Sequence, residues 1–115
     1  MLTKVDHIDL KVPNLEESVE FLKLLGLVEK RRSEARGSVE MQLPGEDQVV
    51  FELRQDDVEK TVVNHIAFKV ESQDDVEALE AKGVKFKNKH KLIVDTGRTV
   101  SGIIDCSGKS WQLTD

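Results

Sequence analysis

Two histidines stand in nearly the same words. His7-Ile8-Asp9-Leu10-Lys11-Val12 near the start and His65-Ile66-Ala67-Phe68-Lys69-Val70 past the middle share four of six positions at an offset of 58 residues. The same offset, within two residues, carries Phe51-Glu52-Leu53 onto Trp111-Gln112-Leu113 and Leu25-Gly26-Leu27 onto Lys82-Gly83-Val84. Each copy thus offers one imidazole and one oxygen-bearing side chain: His7 with Glu52, and His65 with Gln112. Two neutral imidazoles, a carboxylate and an amide oxygen make a mixed nitrogen and oxygen set suited to Zn, Ni, Co, Fe or Mn, with coordination positions left for water or a bidentate substrate. A divalent ion with one carboxylate ligand remains a positive centre, able to polarise a carbonyl and stabilise an enediolate-like oxyanion.

The elements that must position these residues follow from the repeat. Lys4 to Val12 alternates, with Ile8, Leu10 and Val12 on one face and His7, Asp9 and Lys11 on the other, the period of a half-buried strand. Asn14, with Glu17 three residues on, marks a helix start; Leu15, Val19, Leu22 and Leu25 form its apolar stripe and Gly26 stops it. In the second half Ser72 is the expected cap, Val76 and Leu79 the stripe, and Gly83 the stop. Strands are expected at Val28 to Ser33, Ser38 to Leu43 and Gln48 to Arg54, then at Val84 to Lys89, Thr99 to Asp105 and Ser110 to Thr114, with turns at Pro44-Gly45 and Ser107-Gly108. The expected class is α+β: one domain of two βαβββ modules, about residues 1–58 and 59–115. With Val49, Phe51 and Leu53 facing the helix, Glu52 and Arg54 face away from it, as Gln112 does beside Trp111 and Leu113. If the modules pack with pseudo-twofold symmetry, His7, Glu52, His65 and Gln112 converge in one concavity.

Composition bounds the partners. The 115 residues carry 17 Lys and Arg against 22 Asp and Glu, a net charge of −5, so the surface as a whole does not point to nucleic acid or an anionic membrane. No apolar stretch is long enough for a membrane span, the N-terminal segment lacks the apolar run of a signal peptide, and one cysteine, Cys106, cannot form an intrachain disulfide. The expectation is a cytoplasmic protein with a small-molecule partner.

The quoted residues resemble the vicinal oxygen chelate superfamily, which includes glyoxalase I, bleomycin-resistance proteins, extradiol dioxygenases, fosfomycin-resistance enzymes and methylmalonyl-CoA epimerase. The resemblance covers nearly the whole chain. It is carried by Val5-Asp6-His7-Ile8, Pro13-Asn14-Leu15-Glu16-Glu17-Ser18 with Phe21, Leu25-Gly26-Leu27 and Phe51-Glu52-Leu53 in the first half. In the second half it is carried by Asn64 to Val70 and by Asp105-Cys106-Ser107-Gly108-Lys109 leading to Trp111-Gln112-Leu113. It implies paired βαβββ modules in a half-open barrel, a homodimer, and metal ligands from the first and last strand of each module, here His7, Glu52, His65 and Gln112. The epimerase branch resembles the order His, Gln, His, Glu; this chain reads His, Glu, His, Gln. The implied activity is metal-dependent isomerisation, lysis or epimerisation at a small carbonyl substrate.

Glu52 is the only carboxylate of the donor set, and two roles stand open for it: ligand alone, or general base that leaves the metal. Asp9, two residues from His7 on the same face, is a second candidate base, and Arg54 is a candidate anchor for a substrate anion. The lysines of Lys85-Phe86-Lys87-Asn88-Lys89-His90-Lys91 read either as an anion contact or as the guard of an edge strand. Two other functional classes compete. A metal-free binding protein of the bleomycin-resistance kind needs aromatic rings in its groove, whereas the alternation sends Phe51, Phe68 and Trp111 to the helix side. A metal-free dimerisation or regulatory module is the other, and Gln112 is the argument for it.

Overall fold

The computed structural model describes all 115 residues. In chain order the elements are β1 (Leu2–Val12), α1 (Leu15–Leu24), β2 (Val28–Ser33), β3 (Ser38–Gln42), β4 (Val50–Gln55), β5 (Val62–Val70), α2 (Asp74–Ala81), β6 (Lys85–Ile93), β7 (Arg98–Ile104) and β8 (Ser110–Thr114). This is βαβββ twice, the α+β class expected from the repeat. The chain divides into two compact units, residues 7–64 and residues 65–115 with the first six residues.

In the unit of residues 7–64 the strand order is β2-β3-β4-β1, with β4 parallel to β1 and antiparallel to β3. Helix α1 begins where Asn14 accepts a hydrogen bond from the Glu17 amide at 3.0 Å and ends before Gly26, whose φ of 100° suits a residue without a Cβ. Its buried Val19 packs with Val12, Val39, Met41 and Leu53, while Leu10, Leu15, Leu22 and Leu27 close the edges of this core. One face of the strands is therefore consumed by the helix. Pleating sends the intervening residues to the other face.

The second unit repeats the plan, with strand order β5-β8-β7-β6 and a core of Val70, Val76 and Leu113 flanked by Phe68, Leu79, Phe86 and Ile103. Gly83 repeats the stop of Gly26 at φ 101°. Helix α2 starts at Asp74, so Gln73 rather than Ser72 occupies the cap position; Ser72 still contributes, accepting from the Asp74 amide at 3.1 Å while its own amide donates to Asp75 at 3.2 Å. The first residues of β1 are tied to this unit: the Met1 ammonium pairs with Glu71 and Asp75, and Arg98 with Asp6 at 3.3 Å. Strand β6 outruns its expected end at Lys89, because Lys91, Leu92 and Ile93 continue the pairing with β7 past two irregularities in register. Strand β4 begins two residues later than expected, at Val50. No helix is long and apolar enough to cross a membrane.

Candidate functional site

The registers turn the sequence repeat into geometry. In the first unit β1 places Asp9 opposite Glu52 and His7 opposite Val50, so His7 and Glu52 are diagonal neighbours across adjacent parallel strands. In the second unit Ala67 lies opposite Gln112, which makes His65 and Gln112 diagonal in the same sense. Each unit therefore brings its own imidazole and oxygen donor together on the face away from its helix, as the alternation required. His7 and Glu52 are both about 2% exposed, whereas His65 and Gln112 are half-buried.

Following the rows outward shows how the two copies have diverged. Opposite Glu52 on β3 stands Glu40, and opposite Glu40 on β2 stands Arg31. Opposite Gln112 on β7 stands Gly102, and opposite Gly102 on β6 stands Asn88. One unit thus lays the row Arg31, Glu40, Glu52, Asp9 across four strands; the other lays Asn88, Gly102, Gln112, Ala67. Ionisable chemistry is concentrated in the first. Asp9, Glu40 and Glu52 are all buried, and carboxylates are seldom so unless cations or donors attend them.

Two arginines attend them here. The Arg54 guanidinium donates to Asp9 Oδ1 at 3.2 Å, and that of Arg36 to Glu52 Oε1 at 3.2 Å. Burial pushes the Asp9 carboxyl above the ordinary carboxylate range, and the charge and hydrogen bond of Arg54 pull part of the way back. Arg54, expected as an anchor for a substrate anion, thus pairs with a buried acid of its own face. Arg36 was not evident from sequence: it sits in the β2–β3 turn, 16 residues from Glu52, held by its amide on Ser33 Oγ at 3.2 Å. Glu40 was legible in principle, since Ser38-Val39-Glu40-Met41-Gln42 alternates as strictly as β1 does. Its counterpart in the second unit is Gly102, so the repeat gives no sign of it.

The Asp105 carboxylate builds the hairpin that sets β8, and with it Gln112. It accepts from the Ser107 amide and hydroxyl at 2.8 and 2.7 Å, the Lys109 amide at 2.9 Å and Trp111 Nε1 at 2.9 Å. These donors hold it well below the usual carboxylate range, the indole N–H foremost. Trp111 in turn stacks on Phe68 with ring centroids 5.8 Å apart, and Phe68 and Phe86 flank the helix-side core. Those rings are committed to packing, and a groove for stacking a planar ligand cannot use them. Two of the four lysines of β6, the outermost strand of its unit, have local partners: Lys89 pairs with Glu77 and Glu80 of α2, and Lys87 with Ser110. Cys106 is exposed in the hairpin, and none of the four candidate donors lines the open depression of about 530 Å³ beside it.

Within neither unit do three or more His, Cys, Asp or Glu side chains gather closely enough to hold a metal ion. Each unit supplies two donors. Their types fit a divalent ion, nitrogen and oxygen in equal number with a single negative charge, and their strand positions hold the side chains on the polar faces.

Comparison with known proteins bears on the fold. The chain covers 99% of its length, and 97% of the other, against Streptomyces coelicolor methylmalonyl-CoA epimerase in complex with 2-nitronate-propionyl-CoA, at TM-score 0.76 and 21% identity. The methylmalonyl-CoA epimerase from Mycobacterium tuberculosis gives TM-score 0.72 at 18% identity, over 98% of this chain and 87% of that one. A search of curated proteins finds no match. The sequence profile described as Glyoxalase/Bleomycin resistance protein/Dioxygenase superfamily matches residues 4–113. Twice-repeated βαβββ units, each with a histidine on its first strand diagonal to an oxygen donor on its last, are what that profile spans here, and the chain belongs to this superfamily.

Proposed function

We propose that this protein is a divalent-metal-dependent enzyme of the isomerase or epimerase type, moving a proton at the carbon beside the carbonyl of a small acyl substrate. The observation that carries the reading is the row of three buried carboxylates, Asp9, Glu52 and Glu40, on the strand face that also bears His7. Three such acids side by side are costly to desolvate, even with Arg54 and Arg36 paired to two of them. Proton transfer beside a carbonyl needs a positioned base, and a buried carboxylate can serve as one.

His7, Glu52, His65 and Gln112 would hold the ion, one imidazole and one oxygen donor from each unit. When bound, the ion would polarise the substrate carbonyl and stabilise the oxyanion left when the proton departs. Glu52, the single anionic donor, serves as ligand in this reading, and Glu40 beside it serves as the base. Strand β3 sets Glu40 directly opposite Glu52, and its burial keeps bulk water from competing for the proton. Asp9 is engaged by Arg54 and holds the electrostatic balance of the face. The likeness to methylmalonyl-CoA epimerases favours an acyl thioester among the small carbonyl substrates. A cytoplasmic homodimer completes the proposal.

Glu40→Gln and Glu52→Gln separate the two roles. With the chain loaded with Co(II) or Zn(II), solvent deuterium incorporation into an α-branched acyl-CoA is followed by mass spectrometry. Glu40→Gln should keep its metal and lose at least about 100-fold in exchange rate, whereas Glu52→Gln should lose metal. Undiminished exchange in Glu40→Gln removes Glu40 from the chemistry.

A further inference from the structure

Arg36 occupies Glu52 in a way that makes the pair an exchange site. Glu52 is fixed: it lies inside β4, between Glu40 and Asp9, and its side chain is only 3% exposed. Arg36 is the movable partner, on a four-residue turn closed by Gly37 at φ 62°, with its side chain 30% exposed. A single 3.2 Å contact from Nη2 to Oε1 joins them, not the two-pronged fork that guanidinium and carboxylate form at their strongest. Swinging Arg36 into water costs that contact and little else, because an exposed guanidinium regains its hydration. Moving Glu52 would break the strand.

We infer that Arg36 is the counter-ion of Glu52 in the metal-free protein and that a divalent cation displaces it on binding; this rests on the reading of Glu52 as a metal ligand. The buried Glu52 carboxylate then has a cation in both states of the protein. The cost is competition, since part of the metal's binding energy is spent in releasing Arg36.

The test measures Co(II) affinity by calorimetry at near-neutral pH, with thermal melts of the metal-free and loaded protein, for the wild type, Arg36→Gln and Arg36→Lys. The expected result is roughly tenfold tighter Co(II) binding by Arg36→Gln, about 1.4 kcal/mol. Its metal-free form should melt lower than wild type while the loaded forms melt alike. Arg36→Lys keeps a cation in the turn and should bind within about twofold of wild type, which guards against a Gln variant that folds poorly. Wild-type binding with Arg36→Gln equal or weaker overturns the exchange and leaves the metal reading standing. No Co(II) binding by any of the three chains overturns both.

Discussion

Replacing Arg54 by Met keeps the apolar stem and removes the charge that faces Asp9, so the variant isolates what a buried carboxylate costs on this strand face. The partners are 3.2 Å apart, with the Asp9 side chain 2% and the Arg54 side chain 33% exposed. Two unit charges near 4 Å at an effective dielectric constant near 20 attract by about 4 kcal/mol. Water reaching the exposed third of the guanidinium, and water entering the space it leaves, cut that to about 2 kcal/mol near neutral pH. The pH dependence gives the reasoning its sign. Burial already raises the folded-state pKa of Asp9 above its unfolded value, and Arg54 opposes that rise; without Arg54 the rise is larger. Such a group contributes stability that is fully present below its unfolded pKa and is lost as pH rises through the folded pKa, so the variant's penalty should be larger at neutral pH than in acid, where Asp9 is protonated. Urea unfolding of wild type and Arg54→Met across that range measures the difference directly. A penalty that stays constant with pH, or is absent at pH near 7.5, refutes the assignment of Asp9 as a buried acid compensated by Arg54.

Two further outcomes follow from the packing and the hairpin. Leu53→Ala empties a fully buried position between α1 and the strands and should destabilise by about 3 kcal/mol in urea titration; a loss under about 1 kcal/mol would mean that the helix does not pack there as described. Asp105, whose folded pKa is depressed, contributes stability that is present above the ordinary carboxylate pKa and is lost as pH falls through the folded value. Asp105→Asn should therefore flatten the acid limb of the stability curve and lower the near-neutral plateau, seen in thermal melts from acid to neutral pH, and an unchanged acid limb would show that its four hydrogen bonds carry no charge-dependent stability.

The repeat made most of the fold legible. Duplicated His-Ile-x-x-Lys-Val segments, helix stops at Gly26 and Gly83 and period-two alternation placed eight strands and two helices, because each signal is local and the same physics acts twice. Strand β6 was less legible: its continuation beyond Lys89 depends on pairing with β7 around register irregularities, which a periodicity cannot anticipate. The site divides along the same line. His7, Glu52, His65 and Gln112 were proposed because each copy offers a histidine and an oxygen donor, and the registers set each pair diagonally within its own unit. Glu40 and Arg36 escaped because they belong to one copy only: Glu40 faces a glycine's place in the other, and Arg36 reaches Glu52 from a turn. Arg54 was read either as an anion anchor or as an arginine pairing with a nearby acid, and nothing in the sequence reveals that the acid is Asp9, buried beside it.

Metal content tests most directly the proposal that His7, Glu52, His65 and Gln112 hold a divalent ion. Purified wild-type protein, His7→Ala and His65→Ala are each equilibrated with Zn(II), Ni(II), Co(II), Fe(II) and Mn(II), desalted and analysed for bound metal. The account predicts near-stoichiometric metal in the wild type and its loss in both variants, since each histidine is half of the imidazole set. A wild type that retains no metal under any loading, or a His65→Ala chain that keeps it fully, would contradict the account.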